Sequence, residues 1–237
     1  MPPLQRHGLV YLSDDGWSAL CAGPSLLADA AARDCLAHWA AHQLPLVVTR
    51  QSDCSGPVPS AEVALGLPAP ARWGRLRIAL RVPEAAVLYT DGFPRMAAVA
   101  SLLPRDARPA WQALQAALAA DGLAAAVYGS YGWERLTGLA YRHAASDIDL
   151  LVPVDGAEAA DRAAARLAAA ALPGPRIDGE LQFPDGAAVA WREWRLWRTG
   201  AAAEVLVKRR DGATLEMDDG WLCRRGAPSL VTEPACA

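Results

Sequence analysis

Lysine is almost absent from this chain. Of its 23 basic residues, 22 are arginine and one, Lys208, is lysine. Against 26 acidic residues they leave a formal net charge of -3. That balance excludes a generic nucleic-acid coat protein, although it leaves room for local basic pockets. Alanine runs beside so little lysine point to a genome rich in G and C, which accounts for part of the arginine excess without any function. Cys-x-x-Cys spacing is missing too. The five cysteines (Cys21, Cys35, Cys54, Cys223, Cys236) are scattered and odd in number, which gives no support to a disulfide framework or a structural zinc site. Among the four histidines, His38 and His42 are one helical turn apart but lack a third ligand nearby. No apolar run approaches the roughly 20 residues that cross a bilayer. The N-terminus, MPPLQRHGLVYL, has no positive stretch followed by an apolar segment, so it does not read as a signal peptide. The expectation is a soluble, cytoplasmic protein with neither membrane nor nucleic-acid partners.

What is present suits a packed chain. Hydrophobic residues make up 53% and charged residues 21% of 237 residues, which argues against wholesale disorder. Leu26 to Gln43 reads as an alanine-rich helix stopped before Pro45. Leu46 to Thr49 follows as a strand, and Gln51 to Ser60 as a loop. Arg75 to Val82 alternates, placing Arg75, Arg77 and Arg81 on one face and Leu76, Ile78, Leu80 and Val82 on the other, as in a half-buried strand. A solvated arginine face is the default for such a strand. The prolines and charges between Pro94 and Pro109 mark a domain boundary near residue 105. The domains are therefore expected at 1–105 and 106–237.

Beyond the boundary, Pro109 starts an amphipathic helix with Trp111, Leu114 and Leu118 at helical spacing, ending at Asp121-Gly122. Leu123 to Tyr128 reads as a strand, Tyr131 to Leu136 as a short helix, Ile148 to Val154 as a strand and Glu158 to Leu172 as a helix. Strands are then expected at Arg176 to Phe183, Ala187 to Glu193 and Glu204 to Lys208, the first two joined by the turn Pro184-Asp185-Gly186. This order describes an α+β domain with a mixed sheet, preceded by a smaller α+β domain.

Chemistry concentrates in Tyr128-Gly129-Ser130 and Ser146-Asp147-Ile148-Asp149. Sixteen residues separate Ser130 from Asp147. Asp147 and Asp149 are i,i+2 on a strand, so both carboxylates project from one face. Held side by side they raise each other's pKa unless a cation lies between them. Hard oxygen ligands at this spacing suit Mg²⁺, which completes its shell with water and phosphate oxygens. Gly129-Ser130 falls where a strand gives way to a helix, where bare glycine, free N–H groups and a hydroxyl can hold a phosphate. Each half alone has a plain structural reading, as a solvated strand edge or a helix cap.

In that order the two halves resemble the nucleotidyltransferase superfamily that includes DNA polymerase beta. The resemblance implies a polymerase beta-like fold in which Asp147 and Asp149 bind metal and a third carboxylate comes from a later strand. Asp178, in Arg176-Ile177-Asp178-Gly179-Glu180-Leu181, is the best candidate; Glu180 on the same strand face and Glu193 on the next strand leave that assignment open. The wording of YGSYGWERLTGLAYRHAASDIDLLV and DGELQFPDGAAVAWREW is similar to one family, the malonate decarboxylase holo-acyl-carrier-protein synthases, or phosphoribosyl-dephospho-CoA transferases. RHGLVYL, LPLVVTR and LRIAL resemble that family's N-terminal region more loosely.

The resemblance implies that a serine of the acyl-carrier subunit of malonate decarboxylase attacks the α-phosphorus of triphosphoribosyl-dephospho-CoA and releases pyrophosphate. Asp147, Asp149 and Asp178 are then the catalytic and metal-binding residues for two Mg²⁺ ions, with no organic cofactor. Gly129, Ser130, Glu180, Glu193 and Lys208 form the expected substrate-binding set. A generic nucleotidyltransferase using ATP is the alternative enzyme reading. A catalytically silent partner-binding protein is the alternative outside enzymes, and retention of both Asp147 and Asp149 weighs against it.

Four further groups stay open at this level. Trp191, Trp194 and Trp197 make an apolar stripe as a helix but split between faces as a strand. Trp133 either flanks an adenine ring or pins its helix to the sheet. Glu134 has Arg135, Arg142 or substrate as partner. Arg75, Arg77 and Arg81 are expected contacts for an acidic carrier protein.

Overall fold

The computed structural model describes residues 4–23, 29–51 and 62–223. Apart from Gln51, the loop expected at Gln51 to Ser60 lies outside these residues, as does most of the C-terminal tail. The first half runs β1 (Leu9–Leu12), α1 (Asp14–Ala22), α2 (Ala30–Ala41), β2 (Leu46–Val48), β3 (Glu62–Pro68), β4 (Arg77–Pro83) and β5 (Val87–Asp91). These strands form one antiparallel sheet in the order β4-β3-β2-β1-β5. Helix α1 carries no strong sequence signal and was not expected. Helix α2 starts at Ala30 because Asp29 caps it, accepting from the N–H groups of Ala31 and Ala32. Strand β4 alternates as its sequence requires, with Arg77 and Arg81 exposed and Ile78, Leu80 and Val82 buried. Arg75 is not part of that face. It precedes the strand in a left-handed turn, φ 56°, so the exposed arginine row of the strand is Arg77 and Arg81 alone.

The second half continues with α3 (Met96–Val99), α4 (Arg108–Ala120), β6 (Ala126–Tyr128), α5 (Gly129–Thr137), β7 (Ile148–Pro153), α6 (Ala157–Ala169), β8 (Ile177–Gln182), β9 (Ala188–Ala190), α7 (Trp191–Arg198), β10 (Val205–Lys208) and β11 (Ala213–Glu216). Its sheet runs β11-β10-β9-β8-β7-β6. Only β7 and β8 pair in parallel; every other pair is antiparallel. The architecture is thus two-part α+β with a mixed sheet in the second part.

Strand alternation splits that sheet into two chemically different faces. Val127, Ile148, Leu150, Val152, Ile177, Leu181, Val189, Val205 and Val207 are buried in one core with Trp111, Leu114 and Leu118 of α4, Ala160, Ala163 and Leu167 of α6, and Trp191 and Trp194 of α7. The opposite face carries Tyr128, Asp149, Asp178, Glu180, Gln182 and Lys208. The start of α5 closes onto that face at Asp149.

Two expectations about the region around the β8–β9 hairpin need correction. The strand after the Pro184-Asp185-Gly186 turn stops at Ala190, and Trp191 to Arg198 is helix. Three-residue spacing of Trp191, Trp194 and Trp197 therefore makes a helical stripe: Trp194 packs on Phe183, Trp197 and Trp221, and its indole N–H donates to Asp161 at 2.8 Å. Glu193 sits on the exposed side of this helix, not on a strand facing the aspartates.

The two halves share packing. Phe93, Trp133 and Tyr141 belong to the hydrophobic core of the first sheet, and the Tyr141 hydroxyl donates to the Pro68 carbonyl at 2.7 Å. Trp133 therefore pins α5, edge-on to Phe93 and stacked near Tyr141, and does not flank a ligand ring. Glu134 is likewise settled, pairing with Arg142 at 2.6 Å. Among the described residues, no helix is long and apolar enough to cross a membrane.

Candidate active site

The site is built by register. Tyr128 of β6 lies opposite Asp149 of β7, and Asp149 lies beside Asp178 of β8. Adjacent strands are about 4.8 Å apart, so the two aspartates are neighbours on one face. Asp147 ends the loop just before β7. Its side chain and that of Asp178 are each about one-third exposed, at 33% and 35%. Burial raises the Asp149 carboxyl first, then the charges of Asp178, Asp147 and Glu180, to about 6. The crowding thus comes first from burial and then from Asp178 on the neighbouring strand, with Asp147, the Asp-x-Asp partner, acting after them.

Gly129 is needed where it stands. Its φ is +62°, and a Cβ there would lie 1.8 Å from Asp149 Oδ2. The bare Cα allows the start of α5 to close directly onto the carboxylate. Helix α5 begins at Gly129, two residues before the expected start at Tyr131, so Gly129 and Ser130 belong to its first turn. Tyr128, at the N-cap, supplies no side-chain cap, which leaves the first-turn N–H groups without that partner. Gly129→Ala is expected to cut turnover by about 100-fold or more, because the methyl displaces Asp149, at a stability cost of only about 1–2 kcal/mol for the left-handed backbone. Steady-state rates beside a urea titration test this; an unchanged rate would show that the close approach is dispensable.

Positive charge borders the acids. Arg176 Nη2 lies 2.5 Å from Asp147 Oδ2 and 3.6 Å from Asp178 Oδ2. Arg192 approaches Asp178 at 4.0 Å while donating to the Ile177 carbonyl at 2.8 Å. Asp178 Oδ1 also accepts from the Gly179 N–H at 2.9 Å. Among the described residues no group of three or more His, Cys, Asp or Glu side chains is gathered as a metal cluster. What the residues do offer is a set of hard oxygen donors around the half-buried Asp149 carboxylate, and a guanidinium already held by two of the three acids. That donor set fits a divalent cation of the Mg²⁺ type.

Glu180 and Lys208 are brought together with each other. Glu180 is buried, 6% exposed. Lys208 Nζ donates to its Oε1 at 2.8 Å, His7 Nε2 lies 2.9 Å from its Oε2, and Arg6 stands 3.7 Å away. Burial alone would raise this carboxyl, but the hydrogen bonds from His7 and Lys208 outweigh burial and hold it at about 2. The His7 ring also lies 4.4 Å from that of Tyr128, and its backbone is left-handed at φ 60°. Sequence reasoning passed over Arg6, His7, Arg176 and Arg192. For His7 the obstacle is distance, since 173 residues separate it from Glu180.

Replacing Glu180 with Gln should cost about 2–4 kcal/mol at pH 7, because it strands Lys208 and Arg6 beside a neutral group. The wild-type contribution is present above pH ~4.5 and disappears as pH falls toward ~2, since the native carboxyl is depressed. Urea unfolding of both proteins at pH 7 and pH 3 should show the gap narrowing. A constant gap would refute the ionised pairing.

Comparison with known proteins covers both halves. The model of the phosphoribosyl-dephospho-CoA transferase MdcG N-terminal domain matches residues 5–90, and that of the C-terminal domain residues 95–219. The phosphoribosyl-dephospho-CoA transferase of Xanthomonas euvesicatoria pv. vesicatoria is 38% identical over 213 residues, covering 89% of this chain and 92% of that protein. Its namesake in Bradyrhizobium diazoefficiens is 37% identical over 207 residues, covering 87% of each. That of Pseudomonas putida is 32% identical over 191 residues, covering 77% of this chain and 83% of that protein. No solved structure matches. The chain, with its paired aspartates and glycine-led helix, is therefore an enzyme of the phosphoribosyl-dephospho-CoA transferase (MdcG) family.

Proposed function

We propose that the enzyme transfers the phosphoribosyl-dephospho-CoA group from its triphosphoribosyl precursor to a serine of the acyl-carrier subunit of malonate decarboxylase. The observation that carries this reading is the row Tyr128–Asp149–Asp178 with Gly129 closed onto Asp149, within a chain that matches the family along both halves. In this reaction the serine oxygen forms a bond to the α-phosphorus. The bond from that phosphorus to the bridging oxygen breaks, and pyrophosphate leaves with the electron pair.

Asp147, Asp149 and Asp178 would hold Mg²⁺, most simply as two ions. Bound there, the metal supplies charge neutralisation at the leaving pyrophosphate and lowers the pKa of the attacking hydroxyl. Asp178, partly exposed and accepting from the Gly179 N–H, would accept the serine proton. The N–H groups at Gly129 and Ser130, in the first turn of α5, would meet the phosphates, since a helix N-terminus favours negative charge. The first domain packs on Trp133 of α5, and the partly exposed acids leave room for the carrier serine to approach in line.

The test mixes the enzyme, Mg²⁺, apo carrier subunit and triphosphoribosyl-dephospho-CoA, and follows carrier mass and pyrophosphate. The carrier should gain the mass of the prosthetic group with one pyrophosphate released per transfer. Turnover with ATP instead would favour the general nucleotidyltransferase reading, and no mass gain from folded enzyme would refute the proposal.

A further inference from the structure

Arg176 occupies an unusual place for an arginine. It immediately precedes β8, and its backbone is fixed there, because its carbonyl accepts from the Ile148 N–H at 2.8 Å. Its side chain is 60% exposed. Among the described residues its ion-pair partners are Asp147, through Oδ2 at 2.5 Å, and Asp178, through Oδ2 at 3.6 Å. Arg192, on the other side of Asp178, contrasts with it. That guanidinium is anchored by the Ile177 carbonyl and lies over the Trp191 ring at 4.2 Å. Arg176 has a fixed root and a solvent-exposed head whose ion-pair partners are the Asp147 and Asp178 carboxylates.

We propose that Arg176 is an exchangeable counter-ion: it neutralises Asp147 and Asp178 until a divalent cation takes those carboxylates, and then turns to an anionic oxygen of the substrate's triphosphate. Three observations support this inference, which rests on the transfer reading above. The Asp147 oxygen that Arg176 grips is a ligand atom the cation needs, so both cannot hold it at once. An exposed ion pair of this kind contributes little by itself and exchanges readily. Once released, the guanidinium is attached at the entrance to β8, beside the carboxylates that define where the phosphates lie, and its planar fork matches a phosphate better than any other side chain does. The exchange lets one guanidinium offset part of the carboxylate charge before loading and part of the triphosphate charge afterwards.

Opposite effects of one substitution test the idea. Arg176→Gln removes a surface cation without opening a cavity, and an unchanged melting temperature would confirm that it folds. Calorimetric titration of the substrate-free protein with Mn²⁺ should show about tenfold tighter binding in Arg176→Gln than in wild type, the size expected for one competing charge near the ligands. In the transfer assay the same variant should raise KM for triphosphoribosyl-dephospho-CoA about tenfold or more, leave KM for the apo carrier unchanged, and be partly rescued by Arg176→Lys. Weaker or unchanged Mn²⁺ binding would overturn the exchange and make Arg176 a mere brace for the acids. Tighter Mn²⁺ binding with unchanged KM would overturn its phosphate contact, and so the proposal. The Mn²⁺ titration needs no substrate, so it can fail separately from the transfer reading. No Mn²⁺ binding by wild type would overturn both.

Discussion

Asp149→Asn is expected to reduce turnover by at least about 10³-fold while making the metal-free protein more stable. The loss of activity follows from removing the central carboxylate of the acidic row, the one that the proposed function assigns to the metal. The gain in stability follows from the same crowding. Burial and the charges of Asp178, Asp147 and Glu180 push the native Asp149 carboxyl up to about 6. Between pH ~4 and ~6 the native state keeps a proton that the unfolded chain gives up, so metal-free stability falls as pH rises through this window. Partial exposure screens the penalty, leaving about 1–2 kcal/mol at pH 7. Asparagine keeps the shape and removes the charge. Calorimetric melting without divalent cation should show the variant higher by several degrees at pH 7, at about 2–4 °C per kcal/mol for a chain of this size. The difference should vanish near pH 4. Added Mg²⁺ should raise the wild-type melting temperature and leave that of the variant in place. A variant no more stable than wild type at pH 7 would refute the crowding, whatever happened to activity.

Gly179→Ala is expected to destabilise the protein more than any substitution of the acids themselves. Gly179 lies between Asp178 and Glu180 with φ +133°, a backbone conformation that side chains rarely adopt. An added Cβ would lie 1.9 Å from the Leu150 carbonyl oxygen and 2.5 Å from the Leu150 nitrogen. At Gly129 the obstructing atom belongs to a side chain that can turn aside; here it is the backbone of the paired strand. Relief requires β7 and β8 to separate, which breaks the parallel pairing that sets Asp149 beside Asp178. A loss above about 4 kcal/mol, the range of severe backbone strain and core disruption, is the expected result. Urea unfolding reads it, and whatever folded fraction remains should be inactive. A variant with wild-type stability would show that the strands can move apart without cost.

The acidic site was legible because its chemistry is local. Asp147 and Asp149 are two residues apart, Gly129 and Ser130 are adjacent, and strand and helix periodicities suffice to put each pair on a common face or turn. The Glu193 expectation failed for an equally local reason. A segment with tryptophan at every third position and charge between supports either period, and two to three residues of strand ahead of it give no warning of the change. Burial of Trp191 and Trp194 in the core beside Phe183 and Trp221 decides for helix. Lys208 shows the opposite limit. Its rarity drew attention to it, yet its partner is Glu180 across the sheet, and no spacing rule connects β8 to β10.

By itself, then, the sequence determined the two-part α+β order, the acidic pair Asp147 and Asp149, the glycine-led helix beside it and the family to which these belong. All of these depend on neighbours along the chain, where alternation and turn chemistry act directly. Only the tertiary structure decided that Asp178 stands in register with Asp149, that Arg176 pairs with Asp147 and Asp178, that Glu180 is held by Arg6, His7 and Lys208, and that Glu193 faces away. Those outcomes depend on strand pairing and on burial of distant side chains against one another. Charge on a buried face must be matched by whatever the fold brings near, however far away in the chain it began.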